Sequence, residues 1–235
     1  MTFLHKLNKS WYIDDTPHFW EGVIDNPSEL ATWDELEYCM NNPQFYNLQF
    51  IDKNTSQPFN PNKYPRSWSI DCEDVEDVFG AYKDGHALII QNFDSGFRKK
   101  QAILNEVETH FSGDGGIQTA MHLYSGLGEC SSFPVHEDQP SNFICQVEGE
   151  TNWKIYKNRC SEIAPKASFT IGEHQKLIDN MEVAIDVNLS PGDVLYIPPR
   201  TYHQARPQGP RLSVSIPMQH AIPHMKPKER SWYTL

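Results

Sequence analysis

One histidine–acid pair and one distant histidine are the residues in this sequence whose types and spacing suit metal chemistry. His136 and Asp138 lie two positions apart, and His203 follows much later in the chain. On a β-strand, residues two apart point to the same face, so both side chains can reach one ion while Glu137 points away. Two histidines and one carboxylate leave positions open for other molecules, an arrangement typical of non-haem iron(II) sites. The pattern predicts an Fe(II) centre.

The sequence around these residues supports the prediction of a metal site. In a chain with ten histidines and 31 acidic residues, a His-x-Asp/Glu triplet arises by chance about once, so the triplet alone is weak evidence. His136, however, is followed by two strong strand signals. His203 comes just after the stretch 191–199, which combines a turn, an apolar strand and a loop restrained by prolines. This context favours a built site over coincidence.

Short β-strands are the elements that must position the candidate ligands. From Ile117 onward, β-rich runs recur between turn signals. The turns 148–150 and 191–193 join successive strands. This spacing is typical of a barrel or sandwich. The predicted strands are Asn142–Val147, Thr151–Tyr156, Val183–Val187, Asp193–Ile197, Tyr202–Ala205 and Leu212–Ile216.

The first third of the chain differs in character from the rest. Residues 1–84 are rich in Trp, Asn, Pro and acidic residues, and the capping box of Thr32 and Glu35 predicts the start of a helix. A compact apolar strand is predicted at 87–90 and an amphipathic helix at 97–111. We therefore expect three parts in one compact unit: a helical or irregular cap (1–84), a β catalytic core (85–217) and a C-terminal tail (218–235).

Composition excludes several classes of protein. With 235 residues the chain is long enough to bury a sizeable core. The net charge of −11 is spread along the chain and would repel a phosphate backbone, so nucleic acid is not an expected partner. No run approaches the roughly 18 apolar residues of a membrane span. Five cysteines without a C-x-x-C pair, and no signal peptide, predict a reducing compartment, which we take to be the cytoplasm.

The segment 136–149 also resembles a known family. It reads H-E-D-Q-P-S-N-F-I-C-Q-V-E-G, which is similar to the H-x-D-x-x-x-N-F-x-x-Q-x-x-G pattern of the JmjC and cupin-type 2-oxoglutarate oxygenases, especially the small JmjC hydroxylases. The resemblance extends over roughly 85–217. It implies a double-stranded β-helix, or jelly roll, with Fe(II), 2-oxoglutarate and O2 as cofactors. It further implies that Asn142 helps to position the cosubstrate and that Tyr124 reaches one of its carboxylates.

One departure from the family pattern concerns the cosubstrate. The family usually places Lys or Arg where this sequence has Thr151, and that cation pairs with the distal carboxylate of 2-oxoglutarate. A buried carboxylate without a partner is costly. Arg211 and Ser213 share one face of the last strand and form an R-x-S pair, which many other 2-oxoglutarate oxygenases use for this carboxylate. We predict that the cation has moved to Arg211; Lys154 is a weaker alternative, because it alternates to the face opposite Thr151.

The resemblance implies hydroxylation of an unactivated C–H bond in a small molecule, an amino acid or a protein side chain, with release of succinate and carbon dioxide. No catalytic side chain beyond the metal centre is expected, and His122 and Trp153 are candidate pocket residues. Two alternatives stay open. One is a metal-binding cupin enzyme that does not use 2-oxoglutarate, and the other is a non-catalytic barrel that acts as a binding module. The sequence decides neither the substrate nor the oligomeric state.

Overall fold

The structure is a computed structural model that describes residues 3–7, 15–59, 61, 74–111, 116–130, 132–160, 176 and 178–220. Most of the predicted C-terminal tail, from residue 221 onward, lies outside the described residues. None of the helices in these ranges has the length and apolar character needed to cross a membrane.

Strands dominate the described part of the chain. The α-helices are α1 (Trp33–Asn41), α2 (Val75–Lys83) and α3 (Arg98–Phe111), and short 3-10 helices occupy Phe3–Lys6, Pro27–Glu29, Pro43–Phe45 and Phe93–Gly96. The strands are β1 (His18–Trp20), β2 (Asn47–Ile51), β3 (Pro58–Phe59), β4 (Ala87–Gln91), β5 (Ile117–Thr119), β6 (His122–Gly126), β7 (Ser141–Glu148), β8 (Thr151–Arg159), β9 (Val183–Leu189), β10 (Val194–Ile197), β11 (Thr201–Pro207) and β12 (Arg211–His220).

The strands form two antiparallel sheets that face each other. The large sheet has the order β1-β10-β7-β12-β6-β4-β2-β3, with β5 also paired to β12, and the small sheet has the order β11-β8-β9. An apolar cluster joins the sheets, because it contains Ile144 and Leu195 of the large sheet together with Trp153 and Ile155 of the small one. The predicted mainly β class is therefore confirmed.

Alternation along β12 separates the core from the space between the sheets. Leu212, Val214 and Ile216 belong to the main hydrophobic core, which packs the large sheet against the helices. Arg211, Ser213 and Ser215, which alternate with these residues, line a cavity between the sheets. Because successive side chains on a strand point to opposite faces, one strand supplies both the core and the site.

Most of the elements predicted from local patterns are present. The Thr32 hydroxyl accepts a hydrogen bond from the Glu35 backbone N–H at 3.2 Å, and the Glu35 carboxylate accepts one from the Thr32 N–H at 3.0 Å. This capping box begins α1 as predicted. The predicted strand at 87–90 and helix at 97–111 correspond to β4 and α3.

The N-terminal third is less purely helical than predicted. It contains α1 and α2, but its β2 also pairs along its whole length with β4, and β1 pairs with β10. Residues before 84 thus extend both edges of the large sheet. The division of the chain at residue 84 stays a prediction.

The turn between β7 and β8 depends on a glycine. Gly149 has φ +68°, and a Cβ at this position would lie 2.0 Å from the Pro210 carbonyl oxygen. We expect Gly149→Ala to lower the free energy of unfolding by about 2–4 kcal/mol, because backbone atoms must move and the left-handed conformation is strained. Urea unfolding measures the change.

A matched control for this prediction is Gly80→Ala within α2. Apart from its chain neighbours and the backbone of its own helix, no described heavy atom lies within 4 Å of a Cβ at Gly80. Alanine there is expected to raise stability by about 0.5–1 kcal/mol through its higher helix propensity. Equal effects of the two substitutions would contradict the role given to Gly149.

Candidate active site

His136 and His203 lie directly opposite each other across an isolated antiparallel β-bridge. The His203 N–H donates to the His136 carbonyl at 2.8 Å, and the His136 N–H donates to the His203 carbonyl at 3.1 Å. The prediction that His136 and Asp138 share a strand is wrong, because only residue 136 is bridged and residues 137–138 form a loop. The Asp138 carbonyl accepts from the Arg200 N–H instead, which ties this loop to the turn before β11.

The hydrogen bonds of the two imidazoles leave the same nitrogen available on each ring. Nδ1 of His136 lies 2.9 Å from the Pro134 carbonyl, and Nδ1 of His203 lies 2.8 Å from the Thr201 carbonyl. A carbonyl only accepts, so in each neutral ring Nδ1 carries the proton and Nε2 carries the lone pair. This arrangement is common for metal-binding histidines, because it fixes both the tautomer and the ring orientation.

The Asp138 carboxylate faces both free nitrogens. Its oxygens lie 4.0 Å from His136 Nε2 and 3.7 Å from His203 Nε2, and one ligand atom from each residue falls within 4.8 Å of the others. Ligands about 2.1 Å from one ion are roughly 3 Å apart when they stand at right angles. Small side-chain movements would bring the three ligand atoms to this spacing. Two imidazoles and a carboxylate therefore fit a divalent first-row metal.

Burial favours the metal-binding form of His203. The residue is 2% exposed, and burial, followed by the nearby His136, lowers the pKa of His203. The ring therefore stays neutral and keeps its Nε2 lone pair at physiological pH. The Asp138 side chain is 42% exposed, which leaves one side of the three ligands open to arriving molecules.

Asn142 holds the candidate carboxylate ligand in place. Its side-chain amide donates to Asp138 Oδ2 at 2.9 Å, and its Oδ1 accepts from the Ser215 hydroxyl at 3.2 Å. The resemblance assigned Asn142 to the cosubstrate, whereas its contact in this structure is with Asp138. Such outer contacts orient a metal ligand.

We expect Asn142→Ala to weaken metal binding about 10–100-fold, the usual effect of losing a residue that orients a ligand. Titration of the purified protein with cobalt(II) measures the dissociation constant. Asn152→Ala is a matched control on β8, because the Asn152 side chain faces outward and donates to Asp186 and Asn188. Unchanged cobalt affinity in Asn142→Ala would show that Asp138 needs no such support.

Glu137 points away from the candidate ligands, as predicted. Its carboxylate lies 3.9 Å from the Arg200 guanidinium, and burial raises the pKa of Glu137 while Arg200 opposes that rise. Arg200 itself has φ +58°. Its backbone N–H and its side chain thus contact both residues that follow His136 in the loop.

A cavity between the two sheets adjoins the candidate metal ligands. It encloses about 530 Å³, part of it open to solvent. The structure brings together here most of the residues that the sequence nominated, and Phe133 forms part of the wall. The nominated residues that line it are Tyr124, His136, Asp138, Thr151, Trp153, His203, Arg211 and Ser213.

Arg211 is a buried cation in this cavity. It is 3% exposed, and its guanidinium donates to the Cys130 carbonyl at 3.2 Å and to the Ser132 hydroxyl at 3.1 Å. Burial lowers the pKa of Arg211 to about 10, which still leaves it charged at neutral pH. Within the described ranges, no Asp or Glu forms an ion pair with it. A buried charge of this kind calls for an anionic ligand.

Two polar atoms on β8 also lack partners in the cavity. The Thr151 hydroxyl and the Trp153 indole nitrogen are buried and form no hydrogen bond with any described residue. Ser213, by contrast, donates to Gln146 Oε1 at 2.8 Å, and the Gln146 amide is itself held by two backbone carbonyls. Thr151 is therefore the freer hydroxyl for a ligand.

The alternative cation lies on the wrong face of the sheet. Lys154 forms an ion pair with Asp186 at 3.4 Å on the outer face of the small sheet. Tyr124 lines the cavity, and burial, then the charge of Asp138, raises the pKa of its hydroxyl, so the phenol stays protonated and can donate. His122 does not line this cavity but lines a second one, which also borders Asp138.

Comparison with known proteins decides the family. The profile of the JmjC domain matches residues 96–225, more than half of the chain. The chain belongs to the JmjC family.

Relatives of this JmjC chain include much longer proteins. It is 31% identical over 132 residues to the bifunctional lysine-specific demethylase and histidyl-hydroxylase NO66 of Dictyostelium discoideum, covering 54% of this chain and 24% of that protein. It is 30% identical over 111 residues to ribosomal oxygenase 2 of Bos taurus, covering 46% of this chain and 21% of the relative. The chain thus spans about a quarter of the length of these relatives or less.

Solved structures establish the fold of the JmjC chain. The ribosomal oxygenase YcfD of Escherichia coli superimposes with a TM-score of 0.61 at 18% identity, over 97% of this chain and 54% of that one. A YcfD structure in complex with cobalt and 2-oxoglutarate gives a TM-score of 0.60 at 17% identity, over 92% and 52% of the two chains. The predicted JmjC-like double-stranded β-helix is confirmed.

Several residues that line the site of this JmjC chain were missed in the sequence. Ser215 continues the alternation of Arg211 and Ser213 on β12, so strand periodicity could have found it. Ser132 contacts Arg211, 79 positions further along the chain, so only the tertiary fold brings the two residues together. Gln49 and Gln91 lie on N-terminal strands, and no local pattern in the sequence marks them as site residues.

Proposed function

We propose that this chain is an Fe(II)- and 2-oxoglutarate-dependent oxygenase that hydroxylates a C–H bond and releases succinate and carbon dioxide. His136 Nε2, Asp138 and His203 Nε2 would hold the iron. Their convergence and the protonation of both Nδ1 atoms support this assignment. When bound, the metal supplies the activation of dioxygen that is coupled to oxidation of 2-oxoglutarate.

The observation that carries the proposal is the buried Arg211 next to the candidate ligands. A metal site without an anionic cosubstrate does not need a buried guanidinium that no described carboxylate neutralises. The distal carboxylate of 2-oxoglutarate can accept two parallel hydrogen bonds from Arg211, a strong and directional contact. Thr151, at the usual family position of the cation, would add one hydroxyl donor.

The other residues of the cavity bind and orient rather than react. Tyr124 stays protonated and would donate to a cosubstrate oxygen. In this structure the Ser213 hydroxyl donates to Gln146, and it would turn to donate to the cosubstrate, whose oxygens only accept. Trp153 lies beside His203, with the rings tilted by 31° and their centroids 6.0 Å apart, and helps to exclude water from the ligand set. None of these side chains acts as a nucleophile or a general base.

The substrate that we favour is a side chain of a protein or peptide. Relatives named histidyl-hydroxylase and ribosomal oxygenase support this choice. The open side of Asp138 gives such a side chain a route to the ligands. A free amino acid or another small molecule is the alternative substrate, and we propose a cytoplasmic location for the reaction.

Formation of succinate tests the proposal. Purified protein with Fe(II), ascorbate and 2-oxoglutarate is expected to form succinate slowly even without substrate, and omission of iron should stop it. Two other outcomes identify the alternatives. Metal binding without binding of 2-oxoglutarate would indicate a cupin enzyme that uses no such cosubstrate. Binding of neither metal nor 2-oxoglutarate would indicate a barrel that serves only as a binding module.

A further inference from the structure

A second cavity lies against the open side of Asp138. It encloses about 640 Å³, part of it open to solvent, and it borders Asn142 and Tyr124 on the large sheet. Its remaining polar lining comes from Gln49, Gln91, His122 and Ser215, and its apolar lining includes an isoleucine, a phenylalanine and two prolines. A group bound here would lie next to the candidate metal ligands. The chemistry of the wall therefore bears on which group reaches them.

His122 presents a hydrogen-bond donor to this cavity. Its Nδ1 accepts a hydrogen bond from the Asn92 backbone N–H at 3.1 Å, so Nδ1 cannot carry the proton in the neutral ring. The proton is therefore on Nε2. This N–H has no hydrogen-bond partner among the described residues.

Gln49 presents a second donor. The Asn47 amide donates to Gln91 Oε1 at 3.1 Å, and the Gln91 amide donates to Gln49 Oε1 at 3.2 Å. This chain of side-chain amides runs in one direction and ends at the Gln49 NH2 group. Both N–H bonds of that group are without a partner in the described part of the chain. A carbonyl oxygen in the cavity would satisfy this group.

Ser215 presents an acceptor beside His122, its partner in the pairing of β12 with β6. Asp138 can only accept, so the Asn142 NH2 group must face Asp138 and the Asn142 Oδ1 must face Ser215. The Ser215 hydroxyl donates its proton to that oxygen. Its lone pairs remain, so Ser215 can accept a hydrogen bond from a group in the cavity.

The cavity has no free charge to pair with a cation. Among the described residues that line it, Asp138 is the only acidic one, and in the proposed function Asp138 binds the metal. The charges of iron, Asp138, 2-oxoglutarate and Arg211 then sum to zero. An ammonium or guanidinium group would leave water without gaining a counter-charge, which is costly.

We propose that this cavity binds the group to be hydroxylated and selects an uncharged carboxamide, such as the side chain of Asn or Gln, over a cationic side chain. The inference rests on the proposed function and adds the class of substrate to it. The carboxamide oxygen accepts from His122 Nε2 and from Gln49, and its NH2 group donates to Ser215. This pairing satisfies the donors and the acceptor of the wall together.

The test compares two small probes of similar size on the full chain loaded with cobalt(II) and 2-oxoglutarate. Propionamide represents a carboxamide side chain, and n-butylammonium represents a lysine side chain. Paramagnetic relaxation of the methyl protons of each probe gives its affinity near the metal. Propionamide is expected to bind at least about tenfold more tightly, the effect of one or two hydrogen bonds in a partly dry site.

Substitutions of Gln49 and His122 test whether these residues of the cavity cause the preference for propionamide. Gln49→Glu keeps the size of the side chain but adds a carboxylate, so it should raise the affinity for butylammonium and lower that for propionamide. His122→Phe removes the donor and should lower the affinity for propionamide about tenfold, while the affinity for butylammonium stays the same. His18→Phe, on the exposed β1, is the matched control and should change neither affinity.

Three outcomes would overturn the inference. The first is tighter binding of butylammonium than of propionamide to the unaltered chain. The second is that the metal causes no paramagnetic relaxation of either probe. The third is a propionamide affinity that neither Gln49→Glu nor His122→Phe changes. The same samples separate this failure from failure of the proposed function. If cobalt does not bind, or if 2-oxoglutarate leaves the cobalt absorption spectrum unchanged, the proposed oxygenase function fails and the inference fails with it.

Discussion

His136→Ala is expected to weaken metal binding by more than about 100-fold and to remove succinate formation. The substitution deletes one of three candidate ligand atoms, whereas loss of a residue that merely orients a ligand costs about 10–100-fold. The backbone bridge between residues 136 and 203 does not involve the deleted ring, so the loop can keep its position. Titration with cobalt(II) measures the affinity, and a coupled assay measures succinate.

His18→Ala is the matched control for this loss. His18 is an exposed histidine on β1, where its ring packs on Trp20 at a centroid distance of 4.5 Å. It should leave both metal affinity and succinate formation unchanged. If His136→Ala bound cobalt as tightly as the unaltered protein, His136 would not be a ligand and the proposed centre would be wrong.

Arg211→Met is expected to weaken binding of 2-oxoglutarate by roughly 10²- to 5 × 10³-fold while metal affinity stays the same. Loss of one partner of a buried ion pair costs about 3–5 kcal/mol, which corresponds to that change. Without 2-oxoglutarate, the variant should be at least as stable as the unaltered protein. The reason is that methionine removes a buried charge with no described counter-ion and keeps most of the volume. Thermal unfolding with and without cosubstrate measures both effects.

A second substitution tests whether the cation can return to the usual family position. In Arg211→Met with Thr151→Lys, the new ammonium is expected to recover part of the affinity for 2-oxoglutarate, because both residues line the same cavity. Lys154→Met is the control, since Lys154 faces outward and pairs with Asp186. Unchanged affinity in Arg211→Met would mean that the cosubstrate carboxylate is bound elsewhere.

Local rules were enough to predict most elements and the candidate ligands. The capping box at Thr32 sets the first turn of α1, and strand alternation separates core residues from cavity residues on β8 and β12. The triplet at 136–138 and the framing of His203 nominated the three residues that the fold brings together. These signals are encoded within a few residues of each other, so they can be seen without the fold.

The setting of His136 and Asp138 was not predictable from the same rules. The alternation of side chains predicted that the two residues lie on a strand, but the segment is a loop. A single bridge to His203 holds this loop in place, together with a hydrogen bond from the Arg200 N–H. These contacts join residues that are far apart in sequence. A local pattern gives the direction of side chains only where a regular strand continues, and here it does not.

By itself, the sequence determined the family resemblance, the mainly β architecture, the candidate ligands and Arg211 as the candidate replacement for the missing cation. Only the tertiary structure decided that Arg211 is buried, that no described carboxylate pairs with it, and that the Thr151 hydroxyl forms no hydrogen bond with a described residue. It also brought Gln49 and His122 to the open side of Asp138. The physical reason is that burial and charge balance depend on every chain segment around a group, and strand pairing across the whole fold sets those segments.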